Sequence, residues 1–174
     1  IQGFFDVPVD HLYSSAIFIP YIQSLKLKNL AMASPDTGGT RRANAYSKFL
    51  QSELVICYKQ RKAANIIENM SVIGDVEGKN IILVDDIIDT GGTIIKATEL
   101  MMEKGAKSIR AMCTHAVLSG KAYDNIIKSK LTELVVTDTL PLKKVHPKIK
   151  VLSSSSIFAE VIRKVHEQRS ISSH

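Results

Sequence analysis

A chain of 174 residues that is 45% hydrophobic can bury a core as one domain of ordinary size, and its two cysteines, Cys57 and Cys113, cannot build a disulfide framework, which fits a reducing, cytoplasmic home. No apolar run approaches the roughly 20 residues that cross a bilayer, the nearest, 16–22, carries Pro20, and neither a secretory leader nor a membrane partner is expected. The net charge of +6 invites a nucleic-acid reading, but the basic residues are scattered with few aromatics between them, so an anionic small substrate is expected and a nucleic-acid partner is not.

In chain order, Ile1 opens the sequence without an initiator methionine, and Phe4, Phe5, Val7 and Val9 crowd the start before any helical spacing begins. Residues 1–13 therefore read as a connection from a preceding domain that this chain lacks. A strand-like run at 30–33 leads through a glycine turn into a helical stretch at 41–51, and a second strand follows at 54–58. Residues 59–69 are polar and basic with no clear period, and are expected to form a mobile loop. The strand-like 70–73 and the turn at 75–79 complete a hairpin flap. The apolar run Ile81-Ile82-Leu83-Val84 is continuous and branched, as a strand buried on both faces must be. Helical spacing returns at 93–104, where Gly105 is placed to end the helix. Strands at 108–114, 134–137 and 149–152 then alternate with helices at 121–129 and 157–168. This alternation predicts an α/β fold, an open, mostly parallel twisted sheet flanked by helices, with its core in residues 14–153. Residues 154–174 are expected to form a C-terminal helix and tail that pack at a domain or subunit interface. The five histidines are far apart and lack metal-ligand spacing.

The run Val84-Asp85-Asp86-Ile87-Ile88-Asp89-Thr90-Gly91-Gly92-Thr93 carries the most chemistry. It reads as an acidic turn at the carboxyl end of a strand, where open α/β sheets bind ligands. Gly91 and Gly92 let backbone approach a ligand, and Thr93 opens a helix whose unpaired amides favour an anion such as phosphate. Asp85 and Asp86 cannot serve that phosphate, so they suit either the hydroxyls of a polyol or a hard divalent cation. Together these functions describe a phosphorylated sugar. The plainer reading is that Asp89 or Thr90 caps the helix and that Asp85 and Asp86 are turn formers.

A second glycine turn, Ser34-Pro35-Asp36-Thr37-Gly38-Gly39-Thr40-Arg41-Arg42, repeats that logic after the strand at 30–33. Asp36 can hold Mg2+, and amides near Gly38 and Gly39 can receive polyphosphate oxygens; an ordinary strand-to-helix loop is the alternative. Gly74 to Lys79 imitates a nucleotide P-loop but has one residue too few between the glycines, Asn80 in place of Ser or Thr, and a strand after it.

The run VDDIIDTGGT resembles the signature of the phosphoribosyltransferase fold. SPDTGGTRRA upstream, the basic YKQR between, THAVLSG downstream, the closing VHEQRSIS and the opening IQGFFDVPVDHLY are together similar to ribose-phosphate diphosphokinases, over essentially the whole chain. The resemblance implies a cytoplasmic transferase that moves the diphosphoryl group of ATP to the C1 hydroxyl of ribose 5-phosphate, with Mg2+ as cofactor. It implies that Asp89, Thr90, Gly91, Gly92 and Thr93 cradle the 5-phosphate and that Asp85 and Asp86 engage ribose hydroxyls or Mg2+. Asp36 would contact Mg2+, with Gly38 and Gly39 beside the diphosphate. Lys59 and Arg61 match the family's basic catalytic loop, although Gln60 stands where a second arginine is usual and Tyr58 where an aspartate is common. His11 replaces a frequent asparagine. The segment 170–172 resembles part of a regulatory site at subunit contacts.

By the same resemblance the chain is the ribose 5-phosphate-binding half of a homo-oligomer, a hexamer by analogy, and is inactive alone because the ATP-binding loop lies in the absent half. Two alternatives stand beside it. One is a phosphoribosyltransferase of the same fold; the other is a non-catalytic associated or regulatory protein.

Overall fold

The computed structural model describes residues 2–60 and 69–171. Seven strands form one sheet: β1 (Leu30–Ser34), β2 (Glu53–Gln60), β3 (Asn69–Ile73), β4 (Asn80–Ile88), β5 (Ser108–Ala116), β6 (Glu133–Thr137) and β7 (Ile149–Leu152). Their order is β3-β2-β1-β4-β5-β6-β7, parallel throughout except for the antiparallel pair β2–β3 at one edge. The expected hairpin is therefore present, while the residues between its strands, 61–68, lie outside the described ones.

Five α-helices are present among the described residues, α1 (Ser15–Ser24), α2 (Thr40–Leu50), α3 (Gly92–Glu103), α4 (Ala122–Lys128) and α5 (Ser155–His166), and the first four pack on the sheet. Residues alternate between faces along each strand, so β4 sends Ile81 and Leu83 to one side and Ile82 and Val84 to the other. Ile81 and Leu83 join Ala97 and Met101 of α3 and Ile126 of α4. Ile82 and Val84 join Phe18 and Ile22 of α1 and Ala43 and Tyr46 of α2. Each fully buried Ile, Leu or Met contributes roughly 1.5–3 kcal/mol relative to exposure. This double burial is why β4 reads as an unbroken apolar run.

α3 ends as anticipated. Gly105 adopts φ +87°, its amide donates to Met102 O at 3.1 Å, and the Ala106 amide donates to Met101 O at 3.0 Å. This paired return satisfies carbonyls that the last turn leaves open.

Two expectations need correction. α1 is absent from the sequence reading because Pro20 lies inside it and removes one helical amide. Phe18 and Ile22, one turn apart, hold it on the sheet. The second correction concerns Asp85 and Asp86, which are not in a turn: β4 runs on to Ile88, and its pairing with β5 continues through Asp85↔Cys113, Ile87↔His115 and Ile88↔Ala116. The true turn is confined to residues 89–91.

Candidate functional site: two glycine loops at the switch point

Strand order places the site. β1 leads through α2 to β2 on one side, β4 leads through α3 to β5 on the other, and α2 and α3 lie on opposite faces. β1 and β4 are neighbours, so the chain turns away in both directions between their carboxyl ends and leaves a crevice there. Both glycine loops open into that crevice.

In the first loop, Asp36 Oδ1 accepts a 3.0 Å hydrogen bond from the Gly39 amide, and Ser34 Oγ donates to Asp36 O. Gly39 caps α2. A Cβ on Gly39 would stand 2.7 Å from Ser34 Oγ and 3.6 Å from Arg42 Nη1, so a side chain there would displace the Ser34 hydroxyl that bonds Asp36 O. Asp36, Gly38 and Gly39 thus form one folded unit.

In the second loop Gly91 occupies the N-cap of α3 at φ +76°, a conformation that glycine adopts without strain. Neither Asp89 nor Thr90 holds the capping position, which removes the plainer reading of those two residues. Gly92 is different: its backbone is ordinary, and an added Cβ would meet only Thr90 Oγ1, at 3.9 Å. The chain itself does not require a glycine there. Its bare Cα leaves open the space over the first-turn amides of α3, where an anion is favoured. Asp89 O accepts the Ser119 amide at 3.1 Å, and Ile88 O accepts the Leu118 amide at 3.1 Å, so the loop after β5 braces this turn.

Between the loops lie Asp85 and Asp86. Arg42, from the first turn of α2, reaches both: Nη1 to Asp85 Oδ1 at 3.1 Å and Nη2 to Asp86 Oδ2 at 2.8 Å. The backbone adds to the grip, with the Asp86 amide on Asp85 Oδ1 at 2.9 Å and the Ile87 amide on Asp86 Oδ1 at 3.0 Å. Burial, and then the neighbouring Asp86 carboxyl, push the Asp85 carboxyl up to about 6. Burial also acts upward on Asp86, but the hydrogen bond with Asp85 and the Arg42 charge outweigh it and hold Asp86 below the usual range. The pair thus shares its protons unequally, as adjacent carboxylates do.

The two catalytic candidates are not brought into view. Lys59 has its backbone in β2, opposite Met70 of β3, but its side chain lies outside the described residues, and so does all of Arg61. The sequence reading gave no role to Arg42. Its only signal is its place three residues after Gly39 in a run already marked as ligand-binding. Also unforeseen is a cavity of about 560 Å3 beside Asp86 and Arg42, walled by His11, Tyr13, His115 and Phe158 among others. Among the described residues, no three His, Cys, Asp or Glu side chains converge as a metal cage. Cys57 and Cys113 are free and buried, and burial pushes their thiols up to about 11 and about 12.

A family profile described as the phosphoribosyl synthetase-associated domain matches residues 63–174. The chain belongs to that family. Relatives of this phosphoribosyl synthetase-associated domain include the ribose-phosphate pyrophosphokinase of Campylobacter jejuni, 57% identical over 99% of this chain and 56% of its own length. The enzyme of the same name from Porphyromonas gingivalis is 51% identical over 98% of this chain and 55% of its own length. The chain therefore spans little more than half the length of these relatives. The crystal structure of phosphoribosylpyrophosphate synthetase from Mycobacterium smegmatis superposes with a TM-score of 0.86 at 38% identity, covering 96% of this chain and 55% of that one. An adenine phosphoribosyltransferase (APRTase) structure from Giardia lamblia, at 18% identity and a TM-score of 0.54 over 70% of this chain and 76% of its own, shares the fold alone. The phosphoribosyl synthetase-associated domain is thus an α/β unit on a sheet that enzymes of different activity also use.

Proposed function

We propose that the protein is a ribose-phosphate diphosphokinase, which transfers the β,γ-diphosphoryl group of ATP to the C1 hydroxyl of ribose 5-phosphate, and that this chain carries the sugar-phosphate half of the site. The observation that carries the reading is the convergence of two glycine loops on one crevice between β1 and β4, with a paired carboxylate between them. A phosphate would sit on the first-turn amides of α3 beside Asp89, Thr90, Gly91, Gly92 and Thr93, and the ribose hydroxyls would reach Asp85 and Asp86. The loop at Asp36, Gly38 and Gly39 would then receive the diphosphate. Separate loops for the two ends of one product suit a reaction whose main requirement is alignment.

The donors present fit Mg2+, which is usually held by one or two carboxylates together with substrate phosphates rather than by a protein cage. Asp36 would hold it, with Asp85 or Asp86 nearby. Bound there, it would neutralise charge on the diphosphoryl group. Lys59 and Arg61 would stabilise the negative charge that grows on that group as it transfers. The ATP-binding elements are proposed to lie outside these 174 residues, so complete turnover would need more than this chain. α5 leaves Phe158, Ile162 and Val165 exposed at spacings of four and three residues, which supports packing of residues 154–174 at a domain or subunit interface of a homo-oligomer.

Calorimetric titration of this chain with ribose 5-phosphate, with and without Mg2+, tests the reading. Saturable binding that Asp89→Ala weakens about tenfold or more is expected. A chain that binds no ribose 5-phosphate, or one whose Asp89→Ala form binds as well, overturns it.

A further inference from the structure

The proposed function assigns partners to both loops and to the carboxylate pair but leaves Arg42 unexplained. Arg42 is one of the first residues of α2, the helix that the diphosphate loop caps. Its guanidinium nevertheless faces the other loop's strand, one nitrogen on each of two adjacent carboxylates, at 3.1 and 2.8 Å. A guanidinium usually grips one carboxylate with both prongs; here the fork is divided between two. The same group passes beneath the first loop, since the position of a Cβ on Gly39 is 3.6 Å from Arg42 Nη1. Its side chain is 32% exposed, so it is not a core cation that folding alone must neutralise.

The carboxylates keep capacity for a ligand. Two ionised carboxyl groups offer about eight lone-pair sites. Arg42 takes one on each, and the Asp86 and Ile87 amides take one on each as well. What Arg42 supplies is orientation and charge: adjacent carboxylates repel one another, and without a cation between them they would swing apart or hold an extra proton.

We propose that Arg42 is the positioning residue of the sugar site, holding Asp85 and Asp86 in a single geometry matched to ribose hydroxyls and joining the diphosphate loop to the sugar loop. This rests on the function proposed above. It makes a distinction that a role in packing α2 does not: the ribose part of the ligand depends on Arg42, whereas the phosphate part, held on the α3 amides, does not.

The test compares the unaltered chain with Arg42→Gln and Arg42→Lys, using ribose 5-phosphate and inorganic phosphate as separate calorimetric titrants. Arg42→Gln is expected to weaken ribose 5-phosphate at least tenfold while changing phosphate affinity less than twofold. Arg42→Lys, which keeps the charge but cannot span both carboxylates, should recover only part of the loss. Thermal melting establishes that each variant is folded, and Arg42→Lys carries the comparison if Arg42→Gln is not. Unchanged ribose 5-phosphate affinity in both variants overturns the proposal, as does an equal loss for both titrants. No binding of ribose 5-phosphate by the unaltered chain would instead overturn the functional reading, and this proposal with it.

Discussion

Asp85 shows how a single ionisable residue can act at a cost to the fold. Its carboxyl stands at about 6 rather than the ordinary 3.8, chiefly because it is buried. Between about pH 4 and 6 the native protein keeps a proton that the unfolded chain has released, so stability is withdrawn as pH rises through that window and the deficit persists above it. Asp85→Asn removes the titration. Chemical denaturation should therefore find the variant more stable than the unaltered chain at pH 7.5, by about 1–2 kcal/mol, with the difference closing near pH 4. A difference that is the same at both pH values would mean that Asp85 does not titrate in this range. Such a gain on removing a charge follows from burial, which disfavours the ionised carboxyl in the folded state.

At the scale of elements, the helix ends explain both sites and strains. α2 ends on Gln51 in the left-handed conformation, at φ 50° and ψ 43°, where most residues carrying a Cβ are strained. Gln51→Gly should stabilise the protein by about 0.5–1 kcal/mol, read as a higher urea midpoint with an unchanged slope. Gly105 at the end of α3 already has the favoured residue, and its role was legible because glycine, a helical period and a following strand coincide. The same agreement made β1 to β7 and α2 to α5 readable to within a few residues. α1 was not readable, because its hold on the sheet comes from Phe18 and Ile22 meeting strands far away in sequence while Pro20 argues locally against a helix. Asp85 and Asp86 read as turn residues because the apolar run of the strand stops at Val84. Their place in β4 follows from pairing with β5, which no local pattern announces. Arg42 was missed for the same reason, since its partners are more than forty residues away.

The whole molecule is asymmetric in a way that suits its loops. The centre of the sheet, β1, β4 and β5, is covered on both faces, and both glycine loops rise from it. The edges are lighter. On one side β7 is four residues long. On the other, β2 pairs with β1 over residues 53–56, while its outer half, 57–60, has β3 as its sole strand neighbour among the described residues. From Cys57 onward this edge of the sheet has thus narrowed to a two-stranded ribbon, and such ribbons are marginal by themselves. α3 supports this ribbon from one face, where Met70 and Val72 pack on the core.

That narrowing has a consequence for the time scale on which the molecule opens. Amide protons in the outer ribbon should exchange with deuterium through local fluctuations, whereas those of residues 81–84 should wait for global unfolding. Mass spectrometry of labelled peptides would show the two groups separating by orders of magnitude in rate. Equal protection would mean that the hairpin opens only with the sheet. If they separate, the strand that carries Lys59 can be repositioned many times in the lifetime of one folded molecule, while the centre of the sheet stays closed.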